Sequence, residues 1–500
     1  MKCFFYLQKN WETLLAAILG FFAIIISTRY SGIGVSPDSV VYASVARNFH
    51  AGKGFVELSG IPIVQFPLFF PVFLAAVFLL TGIDPIITAP YLNGILFSIV
   101  IFCCGKLADQ LNVKSPWYKR FLLILVVLSP SLLEIYKMIW SETLFILLSL
   151  LFLFQWQNYV RFHQPKHLLT LALIAALALV TRYAGITLVF TGCLLLLIDP
   201  ALAFKQKIKH FFLFGFTAIS LLILNLLRNA LILGTVTGNR QKGTTTLTEN
   251  LQFYGTTISG WLTIPETYVT IAFFIGIISL TLFLILFWMK CRNKAAIVST
   301  ENVLVCFFLT YAGFIIITST ISRYETINNR LLAPAFIPFL FGGSSWLVRI
   351  LKKYRQKQYK LLSYFLFLLT ILFISRSFYV DYQQYQEDTT SGIPGYSDDS
   401  WNKSEMVAFL KKHKEVFKPS LKIFSNDSAG MYFITGFKTL SIPDRHYQKE
   451  IKEYTSNKHH YLIWFNQTED EELLSLNEIK QIKQLTLLYQ FKDGAIYQSF

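Results

Sequence analysis

Apolar residues in this 500-residue chain gather into long unbroken blocks separated by short polar gaps. Runs at 211–227, 268–289, 302–321 and 331–348 approach the ~20 residues that cross a bilayer core. With further runs at 14–26, 87–105, 121–133, 143–156, 168–181, 184–198 and 361–377, the pattern predicts an α-helical polytopic membrane protein of 11 crossings. The number rises to 12 or 13 if a run is two short helices. One more apolar stretch, 67–81, is short and carries Pro67 and Pro71. Counting it as a crossing would put the basic gap at 106–120 outside, so it reads as a re-entrant or interfacial helix. The first run is followed by Ser27-Thr28-Arg29 and not by a small-residue cleavage site, so it reads as a retained anchor.

After 378 the blocks give way to a mixed pattern. A Gly, Pro and Ser-rich linker at 391–400 precedes a helical pattern at 405–413, a strand at 421–424, a helix at 429–434 and a strand at 438–442. Another apolar run occupies 461–465, and 485–500 reads as a hairpin turning at Asp493-Gly494. The expected organisation is a transmembrane domain over 1–378, whose outer loop 29–86 contains interfacial helices, and a small soluble α/β domain over 379–500.

Composition agrees: 54% of residues are hydrophobic and 15% charged, which excludes a soluble globular protein. The net charge of +16 is unevenly placed, with 31 basic and 12 acidic residues up to 378 and 14 basic and 17 acidic beyond it. Basic clusters at 106–120, 161–166, 205–209, 290–294 and 349–360 fill the gaps between apolar runs and mark cytoplasmic loops. With Lys2 and Lys9 they hold 20 basic residues, which puts the N-terminus inside. An odd number of crossings then places 379–500 on the outer face. Basic loops used this way set orientation and touch anionic lipid, so a nucleic-acid partner loses its motive. The six cysteines all fall in predicted cytoplasmic or membrane positions, so no disulfide framework is expected outside. That absence, and the lack of a retention signal, favour a bacterial inner membrane. No P-loop, dinucleotide fingerprint or Cys/His zinc spacing occurs, against ATP-driven transport and redox chemistry.

The 12 acids of the membrane part can be taken one by one. Glu12, Asp109, Asp199 and Glu301 sit among cytoplasmic basic residues and read as solvated loop charges; Glu57, Asp84, Glu249 and Glu266 read as ordinary acids near span boundaries. Asp38, Glu134, Glu142 and Glu325 remain, on outer loops with Arg47, Lys137, Arg182, Arg228, Arg240, Arg323 and Arg330. Asp38 follows Ser36-Pro37, a helix start, with Tyr42, Val45 and Phe49 at helical spacing. On chemistry alone it is as readily an acid favouring the positive end of an interfacial helix.

The order Asp38-x-x-x-Tyr42-x-x-x-Ala46-Arg47, Gly52-x-Gly54-Phe55 and Phe66-Pro67-Leu68 resembles the first outer loop of lipid-dependent GT-C glycosyltransferases. Protein O-mannosyltransferases and bacterial aminoarabinose transferases are the relatives it looks like. Trp140-Ser141-Glu142, Arg182-Tyr183-Ala184-Gly185, Arg228-Asn229 and Asn329-Arg330-Leu331-Leu332-Ala333-Pro334 continue the resemblance in order, and the outer domain, with Ile423-Phe424-Ser425-Asn426-Asp427, is loosely similar to C-terminal domains of that superfamily.

The resemblance implies an inverting transfer of a sugar from a polyprenyl-phosphate donor to a lipid, glycan or protein acceptor at the outer face. Such a reaction needs a base for the acceptor and cations for the leaving phosphate. Asp38 is the candidate base, since a carboxylate that loses hydration abstracts a proton more readily. Glu142 is the second acidic position, able to orient the acceptor or, with Asp38, to hold a divalent cation such as Mg²⁺ or Mn²⁺. Family members often carry two adjacent acids, whereas Asp38 is followed by Ser39, which weakens a two-acid or metal-bridging loop. Arg182, Arg228 and Arg330 are candidate phosphate clamps, because an arginine near hydrocarbon costs about 2.5–3.5 kcal/mol without a partner or a wet cavity; snorkelling to headgroups is the plainer role for each. Tyr42 and Arg47 are candidate substrate contacts. Glu134 is expected to pair with Lys137, and Trp261 to anchor at the interface. A polysaccharide polymerase or ligase is the alternative among enzymes, and a secondary transporter the alternative from another class.

Overall fold

The structure, a computed structural model, describes residues 2–499 except 112, 114, 239, 240, 266, 324, 354–359, 469 and 471. Arg240 and Glu266 lie outside the described residues. The chain forms two compact units. The first comprises Met1–Ser27, Val64–Val72 and Ala89–Gln386; the second comprises Thr28–Ile63, Phe73–Thr88 and Glu387–Phe500.

Among the described residues, seven helices are long and apolar enough to cross a membrane: Asn10–Ser27, Pro85–Gln110, Glu142–Phe162, Phe204–Leu233, Val269–Cys291, Thr300–Ile321 and Asn329–Ile350. Phe69–Thr81, Pro165–Thr181 and Tyr183–Ile198 are shorter apolar helices. This is a multi-pass membrane protein. The run at 121–133, expected as one crossing, is instead split between helices Pro116–Val127 and Pro130–Tyr136. Pro130 has no N–H to continue the first helix, and Ser129 accepts from the Leu132 amide at 3.3 Å to start the second. The run at 361–377 belongs to a 32-residue helix, Lys360–Ser391, which continues past 378 because nothing in its polar second half breaks a helix. Helices Leu247–Trp261 and Val269–Cys291 approach at Gly255 and Gly276, where a Cβ on Gly276 would stand 2.8 Å from the Gly255 Cα. Small residues permit that backbone contact.

Two acids expected to be solvated are buried. Asp199 faces His163 Nε2 at 3.2 Å and caps the Ala201 amide at 2.9 Å. Glu301 lies between Lys290, 3.2 Å away, and Arg349. Their basic neighbours supply the partners that burial of a carboxylate requires.

In the second unit, strands β1 (Lys422–Ser425), β2 (Leu440–Ser441), β3 (His460–Phe465), β4 (Leu485–Gln490) and β5 (Gly494–Ser499) form one sheet in the order β2-β1-β3-β5-β4. β1 runs parallel to β2 and β3, and the β4–β5 hairpin closes antiparallel on β3. Helices Glu405–Lys412 and Ser428–Thr435 are where the pattern put them. Gln448–Ser456 and Leu476–Ile482 are additional; the first buries Tyr454 alone, too little to register as a period. Phe424, Ile442, Tyr454, Leu462, Ile479 and Tyr497 form the core. The stretch 391–400, expected as a linker, is a bonded turn: the amides of Ile393 and Tyr396 donate to Ser31 Oγ at 3.0 Å and to the Val35 carbonyl at 2.8 Å. Residues 28–63 are thereby built together with the C-terminal domain.

Candidate functional site

In the first unit, three of the charged residues selected from the sequence meet. Glu142 opens the helix Glu142–Phe162 and is 0% exposed. Its Oε1 lies 2.6 Å from Arg182 Nη1 and 2.8 Å from Arg330 Nε. Arg182 arrives from the end of the helix Pro165–Thr181, where the backbone turns extended before the Tyr183–Gly185 turn. It also donates to Ser141 Oγ at 3.0 Å. The Arg330 guanidinium lies over the Trp140 ring, 4.5 Å from its centroid, a cation–π contact that needs a flat delocalised cation. Trp140 thus meets Arg330 through its ring, Ser141 meets Arg182 through its hydroxyl, and Glu142 meets both through its carboxylate.

The segments bearing these side chains are fixed by polar bonds. Asn93 donates to the carbonyls of Tyr136 and Met138 at 3.0 and 2.8 Å, setting the approach to Trp140. Tyr311 donates to the Leu331 carbonyl at 2.9 Å. Asn329 uses its whole amide: Oδ1 accepts from Trp261 Nε1 at 2.9 Å and from the Ser131 hydroxyl, while Nδ2 donates to the Ser131 carbonyl at 3.1 Å and to Glu134 at 2.6 Å. A fully satisfied, part-buried amide favours one arrangement, and here it fixes the residue preceding Arg330. Glu134 accepts from Asn329, and one expectation is corrected: Trp261 is buried against Phe336 and Phe339 with its N–H committed. The role of Asn329 escaped sequence reasoning; adjacency to Arg330 was its one signal.

A buried carboxylate and two part-buried guanidinium groups make a cluster with one net positive charge. Glu325, half-exposed, reaches Arg330 Nη1 at 3.7 Å, and a partly exposed pair of this length contributes little. Such a cluster suits a bidentate anion such as a phosphate. It does not suit a hard cation, because Glu142 Oε1 already faces two positive charges. Among the described residues no group of three or more His, Cys, Asp and Glu could hold a metal ion.

In the second unit, Asp38 lies in the first turn of the helix Pro37–His50, which Ser36 and Ser39 cap reciprocally: the Ser39 amide donates to Ser36 Oγ at 3.4 Å and the Ser36 amide to Ser39 Oγ at 3.1 Å. Ser39, where the resemblance leads one to look for a second acid, thus serves the cap. Tyr42 is 2% exposed. Arg47 gives Nε and Nη2 to Asp84 at 2.6 and 2.9 Å. Burial opposes the charge on Asp84, but these bonds from Arg47 hold its carboxyl below the usual range. Arg47 and Asp84 therefore hold each other. Arg228 bonds Asn229 Oδ1 at 3.0 Å, and Asn229 in turn donates to the carbonyls of Val236 and Val64.

No family model matches the sequence, and no curated protein is significantly similar to it in sequence. Solved structures are similar in fold. ArnT from Cupriavidus metallidurans bound to undecaprenyl phosphate superposes with a TM-score of 0.58 at 9% identity, covering 98% of each chain. The same enzyme in the apo state gives 0.57 at 9% identity, again over 98% of each chain. The Archaeoglobus fulgidus oligosaccharyltransferase in complex with zinc and sulfate gives 0.55 at 9% identity, covering 91% of this chain and 68% of that one. The chain has a GT-C-like fold, as the ordered motifs led one to expect.

Proposed function

We propose that this protein is an inverting glycosyltransferase of the cell envelope, taking a sugar from a polyprenyl-phosphate donor on the outer face of a bacterial inner membrane. The observation that carries the reading is the Arg182–Glu142–Arg330 cluster, a preformed net-positive group at helix ends. The fold it shares with an ArnT structure that holds undecaprenyl phosphate supports the choice of donor.

In this reading the acceptor O–H or N–H gives its proton to the Asp38 carboxylate. The freed electron pair bonds to the anomeric carbon from the face opposite the phosphate. The bond from that carbon to the phosphate oxygen breaks, and polyprenyl phosphate leaves with the electron pair. Arg182 and Arg330 stabilise the charge growing on it. Glu142 acts through them: it orients two guanidinium groups that would otherwise repel. The surroundings of Glu142, whose Oε1 already faces two guanidinium groups, do not fit a metal ion.

The reading is tested with purified protein, a panel of undecaprenyl-phosphate pentoses and hexoses, and extracted envelope lipids as acceptors. Asp38→Asn should lower turnover about 10²- to 10⁴-fold, the span a positioned base contributes, with the unfolding temperature unchanged. Wild-type turnover in that variant removes Asp38 as the base.

A further inference from the structure

The helix carrying Asp38 is held at both ends within its own unit. At its C-terminal end Arg47 forms the bidentate pair with Asp84. Ahead of its N-terminus, residues 30–35 receive four hydrogen-bonded ties from 393–399. The Ile393 amide bonds Ser31 Oγ at 3.0 Å, the Ser397 hydroxyl bonds the Ile33 carbonyl at 2.7 Å, the Tyr396 amide bonds the Val35 carbonyl at 2.8 Å, and Tyr30 donates to Asp399 at 3.2 Å. Gly395 has φ +119°, and a Cβ there would stand 2.5 Å from the Val35 oxygen, so the close approach requires glycine.

Tyr396 joins this turn to the sheet. Its hydroxyl donates to Asp427 Oδ1 at 2.6 Å, while its ring packs edge-on against Trp401. Asp427, just past β1, also accepts from the Gly430 amide at 2.8 Å and the Thr468 hydroxyl at 3.1 Å. The bonds therefore run from the end of β1 through Asp427 and Tyr396 to Val35, one residue before the Ser36 cap and three before Asp38. Asp38 lies within electrostatic range of the Tyr396 hydroxyl, and burial pushes both that hydroxyl and the Asp427 carboxyl up, as expected of a dry, rigid pair. A domain that merely hangs from the membrane part by a linker has no need of four ties to the residues preceding one acid.

We propose that the C-terminal domain is the mount of the Asp38 helix, with Tyr396 and Asp427 as positioning residues that set where the Asp38 carboxylate stands. The proposal rests on Asp38 being the base. Positioning of this kind matters steeply, since a misplacement of about 1 Å costs on the order of 10²-fold in rate.

Tyr396→Phe removes the hydroxyl and keeps the ring; Gly395→Ala wedges the turn from Val35. In full-length protein, hydrogen exchange of the 37–50 helix should quicken at least about tenfold in both variants, with the 142–162 helix unchanged. Using the panel of undecaprenyl-phosphate sugars, kcat of Tyr396→Phe should fall ~10- to 100-fold with the donor KM unaltered. The same substitution should cost nothing further on the residual turnover of Asp38→Asn. Unchanged exchange at 37–50 in Tyr396→Phe overturns the mount, as does faster exchange with full turnover, or an equal loss on both backgrounds. Should Gly395→Ala fail to fold, Tyr396→Phe alone decides. Full activity in Asp38→Asn instead removes the base assignment, and exchange then still reads whether the mount exists.

Discussion

At the scale of single residues, Glu142 bears the heaviest structural burden. It is fully buried and balances one of two guanidinium charges, so its loss leaves arginines facing each other in a low dielectric. Glu142→Ala should destabilise the protein by about 3–5 kcal/mol, the cost of an uncompensated buried charge, read as a lowered unfolding temperature in detergent. An unchanged temperature would mean that water reaches the cluster. His460 offers a pH test in the second unit. It is buried on β3, bonded to the Asn457 carbonyl and the Tyr454 hydroxyl, and burial brings its pKa down to about 4 from 6.5. A folded-state value below the unfolded one means stability is whole above about pH 6.5 and declines as pH falls toward 4. The urea midpoint of peptides 422–425 and 460–465, read by pulsed hydrogen exchange, should drop across that window in wild type and much less in His460→Gln.

At the scale of elements, the helix pair 247–261 and 269–291 depends on glycine. A Cβ on Gly255 would stand 2.3 Å from the Ala272 carbonyl oxygen, a backbone atom that cannot swing aside. Gly255→Val should part these helices and cost about 1–3 kcal/mol or more, measured as a lower unfolding temperature beside Gly260→Val, where a Cβ meets nothing. Much at this scale was legible in sequence. Blocks of apolar residues marked the long helices, Ser36-Pro37-Asp38 marked the start of the helix Pro37–His50, and Asp493-Gly494 marked the hairpin, because each signal is local. What stayed hidden depends on partners distant in the chain. That Arg47 answers to Asp84, Glu134 to Asn329, and Tyr396 to Asp427 cannot be read from spacing. Likewise Gly, Pro and Ser at 391–400 look like a linker until the carbonyls they bond, 33 and 35, come from elsewhere.

At the scale of the whole molecule, the +16 charge is concentrated up to residue 378, where 31 basic residues face 12 acidic ones. The basic clusters of the short loops are partly paired, as Arg120 with Glu12 at 2.6 Å and Lys119 with Asp109 at 2.8 Å. A cysteine replacing the exposed Glu405 should react with an impermeant thiol reagent from the outer face of intact vesicles. Reaction solely from the cytoplasmic face would reverse the proposed orientation. The few remaining arginines carry the functional claim, and that claim needs no knowledge of the sugar. Binding of undecaprenyl phosphate to detergent-purified protein, set against undecaprenol lacking the phosphate, tests it most directly. Wild type should prefer the phosphate by at least about tenfold, the affinity factor corresponding to 1.4 kcal/mol, and Arg182→Ala and Arg330→Ala should each erase most of that preference. Equal binding of the two lipids by wild type, or a phosphate preference untouched in both variants, would contradict a polyprenyl-phosphate site at this cluster.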